Sequence, residues 1–352
     1  MNKMQQQKVA LVAGAGGVVG SQLVSTLLQN GWEVIGLSRH ASSHPAGIPL
    51  VNVDLLDAQH SAQALQPLGN VSHIFYSAWV NAANWTEMVE PNVTMLRNLV
   101  TNMENIAPLQ TVSLMQGYKV YGAHLGPFKT PARESDPGVP GAEFNAAQLA
   151  WLSQFQRGKA WHWHAIRPGV VGSALPGNTM NLVLSIALYA SLCKAQGLPL
   201  RFPASEHTWR SIVDHTDAVL LAEATQWAAT SPMAENQAFN VNNGDVWRWS
   251  ELWPRIAQWF ELECAPPVRL SFSQLFQDYR AAWRELAAGQ QLVEADILRL
   301  SDGSFADFVF SWDYDMFGDG SKLRRAGFTR MQATDEMFFG LFAQLRAARI
   351  IP

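Results

Sequence analysis

The chain has 352 residues, a formal net charge of −4, 48% hydrophobic residues and only 15% charged ones. That balance supplies a sizeable core and excludes a disordered chain; the acidic balance without any basic run excludes a nucleic-acid surface. Two cysteines, Cys193 and Cys264, make no disulfide framework, and they read as small buried hydrophobes in a reducing compartment. The opening MNKMQQQK lacks the apolar core of a signal peptide, and Met180 to Leu192 is too short to span a bilayer. A cytoplasmic protein with no membrane partner is expected.

The stretch from Lys8 to Arg39 reads as strand, glycine turn, helix and strand. Val9 to Ala13 is a short β-rich run bounded by glycine, as a strand buried on both faces should be. Gly14, Gly17 and Gly20 follow as G-x-x-G-x-x-G and open a helix that runs to about Asn30. Such a turn needs backbone without Cβ clashes, so that a pyrophosphate can approach main-chain N–H groups and the helix can pack on the strand. The helix N-terminus then offers free donors and a positive dipole end to the phosphates. The position of the triplet, after a strand and before a helix, identifies a dinucleotide site, with Val18 and Val19 in the same turn.

Trp32 to Leu37 is the second strand, and Ser38 and Arg39 stand at its end, where an acidic residue would hold the ribose hydroxyls of NAD. A hydroxyl and a guanidinium suit a 2′-phosphate instead, so NADPH is the expected cofactor. Asp54, with Leu55 beside it, ends the next apolar run, Leu50 to Val53, and is placed to meet the adenine edge.

Residues 57 to 69 read as a helix, and His73 to Ser77 as the next parallel strand. Ser77, Ala78 and Trp79 then fall at a strand's carboxyl end, where open α/β sheets bind ligands. A long helix over 85–106 and a strand over Leu109 to Leu114 lead into Gln116-Gly117-Tyr118-Lys119-Val120-Tyr121-Gly122. His124 to Gly141 is a Pro- and Gly-rich loop of the length that compact domains keep for function. A helix over Ala142 to Gln156 and a strand over Trp161 to Ile166 bring the chain to Arg167, Pro168, Gly169, Val170 and Val171. Phe202 to Ile212 is assigned to a lobe, Asp214 to Ala229 to a helix, and Phe239 to Val241 to a short strand. The rest, from about Trp247, is a helical cap dense in Trp and Phe. Alternating strands and helices predict an α/β fold, a Rossmann-type doubly wound parallel sheet. Residues 1–172 carry the dinucleotide, with sheet contributions from about 203–245, and 173–352 form a mainly helical substrate lobe.

Several of these segments together resemble one group of proteins: the Gly14/Gly17/Gly20 turn, Asp54, Lys119-Val120-Tyr121-Gly122, GPFKTPARESDP, Arg167-Pro168-Gly169 and the Phe239–Asp245 stretch. They are similar to atypical extended short-chain dehydrogenases/reductases, the progesterone 5β-reductase-like and iridoid synthase-like enone reductases. Bacterial relatives of that group are often labelled NAD-dependent epimerase/dehydratase family proteins. The likeness runs over nearly the whole chain. It implies conjugate reduction, in which hydride from NADPH reaches the β-carbon of an α,β-unsaturated carbonyl and the developing oxyanion must be stabilised. It also implies that backbone after Pro168 and Gly169, with Val171, orients the nicotinamide.

In the resembled enzymes a lysine after the fifth strand and a tyrosine on the following helix do this work. Lys119 matches the lysine. The helix there begins with an aromatic pair followed by acidic residues, whereas this chain has Phe144-Asn145-Ala146-Ala147-Gln148, so that Ala146 falls where the phenol is expected. Three routes stay open: Tyr121 supplies a phenol from the side of Lys119 if the segment is extended; Lys119 and water suffice for an electrophilic enal; or turnover is lost and a cofactor-binding sensor remains. Trp79, Met180 and Trp209 are the candidate substrate pocket. His162 and His164 lack metal spacing, and Ser211, Asp214 and His215 lack a nucleophile elbow. The resulting expectation is an NADPH-dependent reductase of a small hydrophobic enone or enal, as monomer or homodimer. A non-catalytic NADP(H)-binding sensor is the alternative, and a sugar-nucleotide epimerase or dehydratase the third reading.

Overall fold

The computed structural model describes residues 7–39, 43–138, 143–178 and 180–352. The opening residues 1–6, the loop's last residues 139–141 and the expected helix start at Ala142 lie outside them. Six strands enter in chain order: β1 (Val9–Ala13), β2 (Glu33–Ser38), β3 (Leu50–Asn52), β4 (His73–Tyr76), β5 (Thr111–Met115) and β6 (His162–Pro168). With the edge strand Gln237–Val241 they form one sheet in the order edge strand, β6, β5, β4, β1, β2, β3. Every pairing in it is parallel. The order reverses between β1 and β4, which is where a doubly wound sheet opens a crevice at its carboxyl edge.

The pattern of β1 shows why the sheet is covered on both faces. Val9, Leu11 and Ala13 join one apolar cluster with Leu96 and Val100, while Ala10 and Val12 join the opposite one with Leu23 and Leu27. Successive strand side chains point to opposite faces, so an unbroken apolar strand needs a helix layer on each. Helix α1 (Val18–Gln29) lies on one face, and α3 (Val89–Ile106) and α4 (Phe144–Gln156) on the other; α2 (Ala58–Leu65) packs on α3.

Helix α5 (Leu182–Ala195) has every residue from Leu182 to Cys193 buried. An all-round apolar helix of this length is a core helix, and among the described residues no helix is long and apolar enough to cross a membrane. Around it the tryptophan-rich C-terminal part packs as a second large core, with Phe202 against Trp209, Trp249, Trp253 and Phe310 at centroid separations of 5.0–5.7 Å.

Three expected elements change character. The segment 214–229 is not one helix: His215–Asp217 is a strand beside Val170–Gly172, and the helix begins at Ala218, where Asp217 accepts from the Leu220 N–H. Residues 202–212 hold a five-residue helix, Glu206–Arg210, and a strand, Ile212–Val213, paired with Trp247–Arg248. Residues Tyr118–Tyr121 form a 3₁₀ turn instead of an extended segment.

Candidate active site

The turn after β1 sets the first wall. Gly14 has φ +84°, a left-handed conformation that a side chain would strain, and a Cβ there would press on the Ser77 backbone at 2.9 Å. Gly20 needs its missing side chain for a different reason: a Cβ would collide with the Gly14 carbonyl oxygen. The Gly17 N–H closes the turn on that same carbonyl at 3.0 Å, and α1 starts with no side-chain cap and no acid in its first turn. Its first N–H groups are therefore left for an anion.

From this turn a cavity of about 600 Å³ runs along the carboxyl ends of the strands into the C-terminal part. Gly14, Gly17, Val18, Val19, Gly20, Ser38, Arg39, Leu55, Ser77, Ala78, Trp79, Pro168, Gly169 and Val171 all stand in its wall, as does Lys119. Arg39 is exposed there, at the end of β2, and among the described residues no acid lines the wall beside it. The far end is closed by Met180 and by Phe305, Phe308, Trp312 and Met316. Volume and lining suit a dinucleotide head followed by an apolar small molecule.

Three residues singled out from the sequence sit elsewhere. Asp54 is not in the wall: its carboxylate accepts from the Leu56 N–H at 3.0 Å, while its neighbours Val53 and Leu55 face the cavity. Trp209 packs on Phe202 and takes no part in the lining. Tyr121 is outside the cavity as well. Its hydroxyl donates to Asn240 at 2.6 Å and accepts from Arg167 at 3.0 Å. The Arg167 guanidinium also donates to Gln116 at 2.9 Å, so these four side chains lock β5, β6 and the edge strand together below the site. Burial pushes the Tyr121 phenol above its usual range, and the Arg167 charge only partly offsets this.

Lys119 is a cation of the cavity wall. Its ammonium lies 4.4 Å from the centre of the Trp85 ring and 5.8 Å from that of Phe308. Among the described residues it forms no ion pair. Ring faces hold a cation without neutralising it. Burial lowers its pKa from the usual lysine value, with the Glu143 charge pulling the other way.

The α4 turn presents Phe144 and Asn145 to the cavity, whereas Ala146 is exposed and outside the wall. Glu143 caps the helix by accepting from the Ala146 N–H at 2.8 Å, and it also accepts from the Asn145 amide at 2.6 Å. Tyr118 lines the cavity, but its hydroxyl donates to the buried Asp214 at 2.7 Å. Asn145 and His124 are wall residues that carried no sequence signal; both come from segments read only as a helix start and a loop.

His162 and His164 lie on β6, and among the described residues no group of His, Cys, Asp or Glu is arranged to hold a metal. His215 is buried between the rings of Trp247, Trp249 and Phe338, and burial pushes its pKa down to about 3. It is a core histidine.

A parallel sheet in this order, with a glycine turn at the switch point, defines a Rossmann-type α/β protein. Residues 47–352 match the model of the PRISE-like Rossmann-fold domain, and the chain belongs to that family. It is 30% identical to the 3-oxo-Delta(4,5)-steroid 5-beta-reductase of Arabidopsis thaliana, over 98% of this chain and 94% of that one. It is 29% identical to the (S)-8-oxocitronellyl enol synthase of Catharanthus roseus, over 98% and 93%. Among solved structures, it resembles a short-chain dehydrogenase/reductase superfamily protein of Agrobacterium tumefaciens with bound NAD (TM-score 0.67, 16% identity, 97% and 98% coverage). It also resembles UDP-glucose 4-epimerase of Thermotoga maritima (TM-score 0.68, 14% identity, 96% and 99% coverage). At such identities these two likenesses speak for the fold alone.

Proposed function

We propose that the protein is an NADPH-dependent reductase of a small hydrophobic α,β-unsaturated carbonyl compound. Residues 1–172 carry the dinucleotide in this reading, and 173–352 close the substrate end. The observation that carries it is Lys119, a desolvated ammonium held on the faces of Trp85 and Phe308, in the same cavity that begins at the glycine turn. The names of the two relatives, a steroid 5-beta-reductase and an enol synthase, support the same chemistry.

When bound, the dinucleotide would supply hydride to the β-carbon of the substrate. The glycine turn and the α1 N-terminus would hold its pyrophosphate, and Ser38 and Arg39 the 2′-phosphate that separates NADPH from NADH. The backbone at Pro168 and Gly169 would hold the nicotinamide end. Negative charge then develops on the carbonyl oxygen, and Lys119 stabilises it in a site with little water to screen the charge. The aromatic wall would take the apolar body of the substrate.

The test is NADPH consumption over a panel of small enals, cyclic enones and steroid enones, with Lys119→Met alongside and cofactor binding measured in both. Turnover by the wild type that collapses in Lys119→Met supports the reading. Tight NADPH binding without turnover of any panel member would favour a sensor that keeps the nucleotide site, and would end the reductase reading.

A further inference from the structure

The cavity holds a second polar group beside Lys119 that the reading above leaves unused. His124 is part of the wall, and its ring meets Trp85 edge-on at 4.6 Å, the same indole whose face carries the Lys119 ammonium. One tryptophan ring is thus the shared neighbour of the imidazole and the ammonium. The His124 Nδ1 is buried without a hydrogen-bond partner. That nitrogen has no accessible surface, so a ligand in the cavity would meet the ring through Nε2. Burial, and after it the Lys119 charge, push the His124 pKa down to about 4, so the ring is neutral near pH 7. A neutral imidazole keeps one N–H to donate and does not repel the ammonium, a state that catalytic sites use to polarise carbonyls.

Two other donors of the wall are committed. Tyr118 donates to Asp214 and the Asn145 amide donates to Glu143. The Trp312 indole N–H is unpartnered too, but it is linked to Lys119 only through Phe308.

We infer that His124 is the second hydrogen-bond donor to the substrate's carbonyl oxygen, acting with Lys119 in a wall that offers no free phenol. The inference rests on the enone-reductase reading. Hydride brings its electron pair to the β-carbon, and the C=C pair shifts to join the α-carbon to the carbonyl carbon. The carbonyl π pair becomes a lone pair on oxygen, which accepts from the Lys119 and His124 N–H groups. Neither side chain surrenders its proton; a proton from solvent adds at the α-carbon, so the substrate gains a hydride and a proton and the dinucleotide is oxidised.

The probe is a phenolate, a planar oxyanion that mimics the enolate. Full-length protein with ¹⁵N-labelled histidine and saturating NADP⁺ is titrated with 4-nitrophenol, and the His124 ring signal is assigned by its loss in His124→Phe. The expected result is a shift of that signal on binding. Phenolate affinity should fall about tenfold to a hundredfold in His124→Phe, as for losing a hydrogen bond to a charge. NADP⁺ affinity should not change, and His124→Asn should recover part of the loss. An unmoved signal, equal affinity in His124→Phe, or no phenolate binding to the wild type overturns the inference. Enone turnover by the same proteins separates the two readings: full turnover in His124→Phe ends the inference alone. Phenolate binding that depends on His124 without wild-type turnover ends the reductase reading and leaves the oxyanion site standing.

Discussion

The two ends of the cavity are made of different material. At the end proposed for the phosphates, the phosphate end, the wall is the turn from Gly14 to Gly20, in which Gly14 and Gly20 serve by the side chains they lack. At the end proposed for the carbonyl, the carbonyl end, it is side chains from separated segments: Lys119, His124, Asn145, Met180 and the rings between Phe305 and Met316. A backbone wall fails when an atom is added, because its groups must be approached closely. A side-chain wall fails when a group is removed, because its function is one charge or one donor in a poorly hydrated place. The same molecule therefore answers to opposite kinds of mutation at its two ends.

The largest effect should come from subtraction at the carbonyl end. Lys119→Met keeps the stem against Trp85 and deletes the charge, so kcat/KM for a turned-over enone should drop about 10²–10³-fold, as for loss of an oxyanion donor. NADPH affinity, read by fluorescence titration, should barely move. Addition at the phosphate end comes next. Gly20→Ala drives a methyl into the Gly14 carbonyl and the Ala15 backbone, where no flexible side chain can yield. Stability should fall by about 1–3 kcal/mol in urea unfolding, with NADPH binding lost. Gly16→Ala meets nothing within 4 Å and should unfold like the wild type. If both alanine variants behave alike, the backbone wall is not as tight as described.

Arg39→Ala should have a smaller and more selective effect. The guanidinium is exposed, so it is well screened, and NADPH affinity should weaken about tenfold with NADH unaffected. Equal weakening of both cofactors would remove Arg39 from the 2′-phosphate site.

The contrast between the ends also decides how much could be read from the chain. The glycine turn, Ser38, Arg39 and the sheet were legible because their signal is local: strand, turn and helix follow one another within thirty residues. Lys119 was legible as part of a motif. The rest depended on how distant segments meet. Tyr121 looked like a neighbour of Lys119 because an extended segment puts residues two apart on one face. In the 3₁₀ turn that forms, residues three apart share a side instead; the Tyr118 and Tyr121 rings lie 6.0 Å from each other, and the Tyr121 hydroxyl joins the Arg167 lock. Trp209 belonged to a tryptophan-rich region whose composition announces a core without saying which ring reaches the cavity. His124 opened a loop whose length pointed to function, with no signal that singled out its own side chain. It became visible once Trp85 was seen to carry both its ring and Lys119.

Beneath Tyr118 and Gly169 lies Asp214, and it supplies a prediction about stability. Its Oδ2 accepts from the Gly318 N–H at 2.9 Å, from Tyr118 at 2.7 Å and from Asn242 at 3.0 Å, while Oδ1 is buried without a partner. Burial pushes its pKa from 3.8 up to about 7 against those donors. The native chain then keeps a proton that the unfolded chain releases near pH 4, so Asp214 contributes its full stability below pH 4 and loses it as pH rises to about 7. Buried His73, His164 and His215 act in the opposite sense, since their pKa values are pushed down to about 4, 3 and 3. Their stability is present above the unfolded histidine pKa and is lost as pH falls. Total stability mixes both slopes; a difference isolates one. Asp214→Asn keeps the shape, lets its carbonyl oxygen accept the same three donors and cannot ionise. Its stability relative to wild type should climb by about 1 kcal/mol per pH unit between pH 4 and 7, then level off. Urea unfolding of both proteins at pH 5, 6, 7 and 8 reads this directly. Parallel curves would mean that Asp214 is already ionised in the native state, and that the floor under Tyr118 and Gly169 holds a charge where a neutral acid is described.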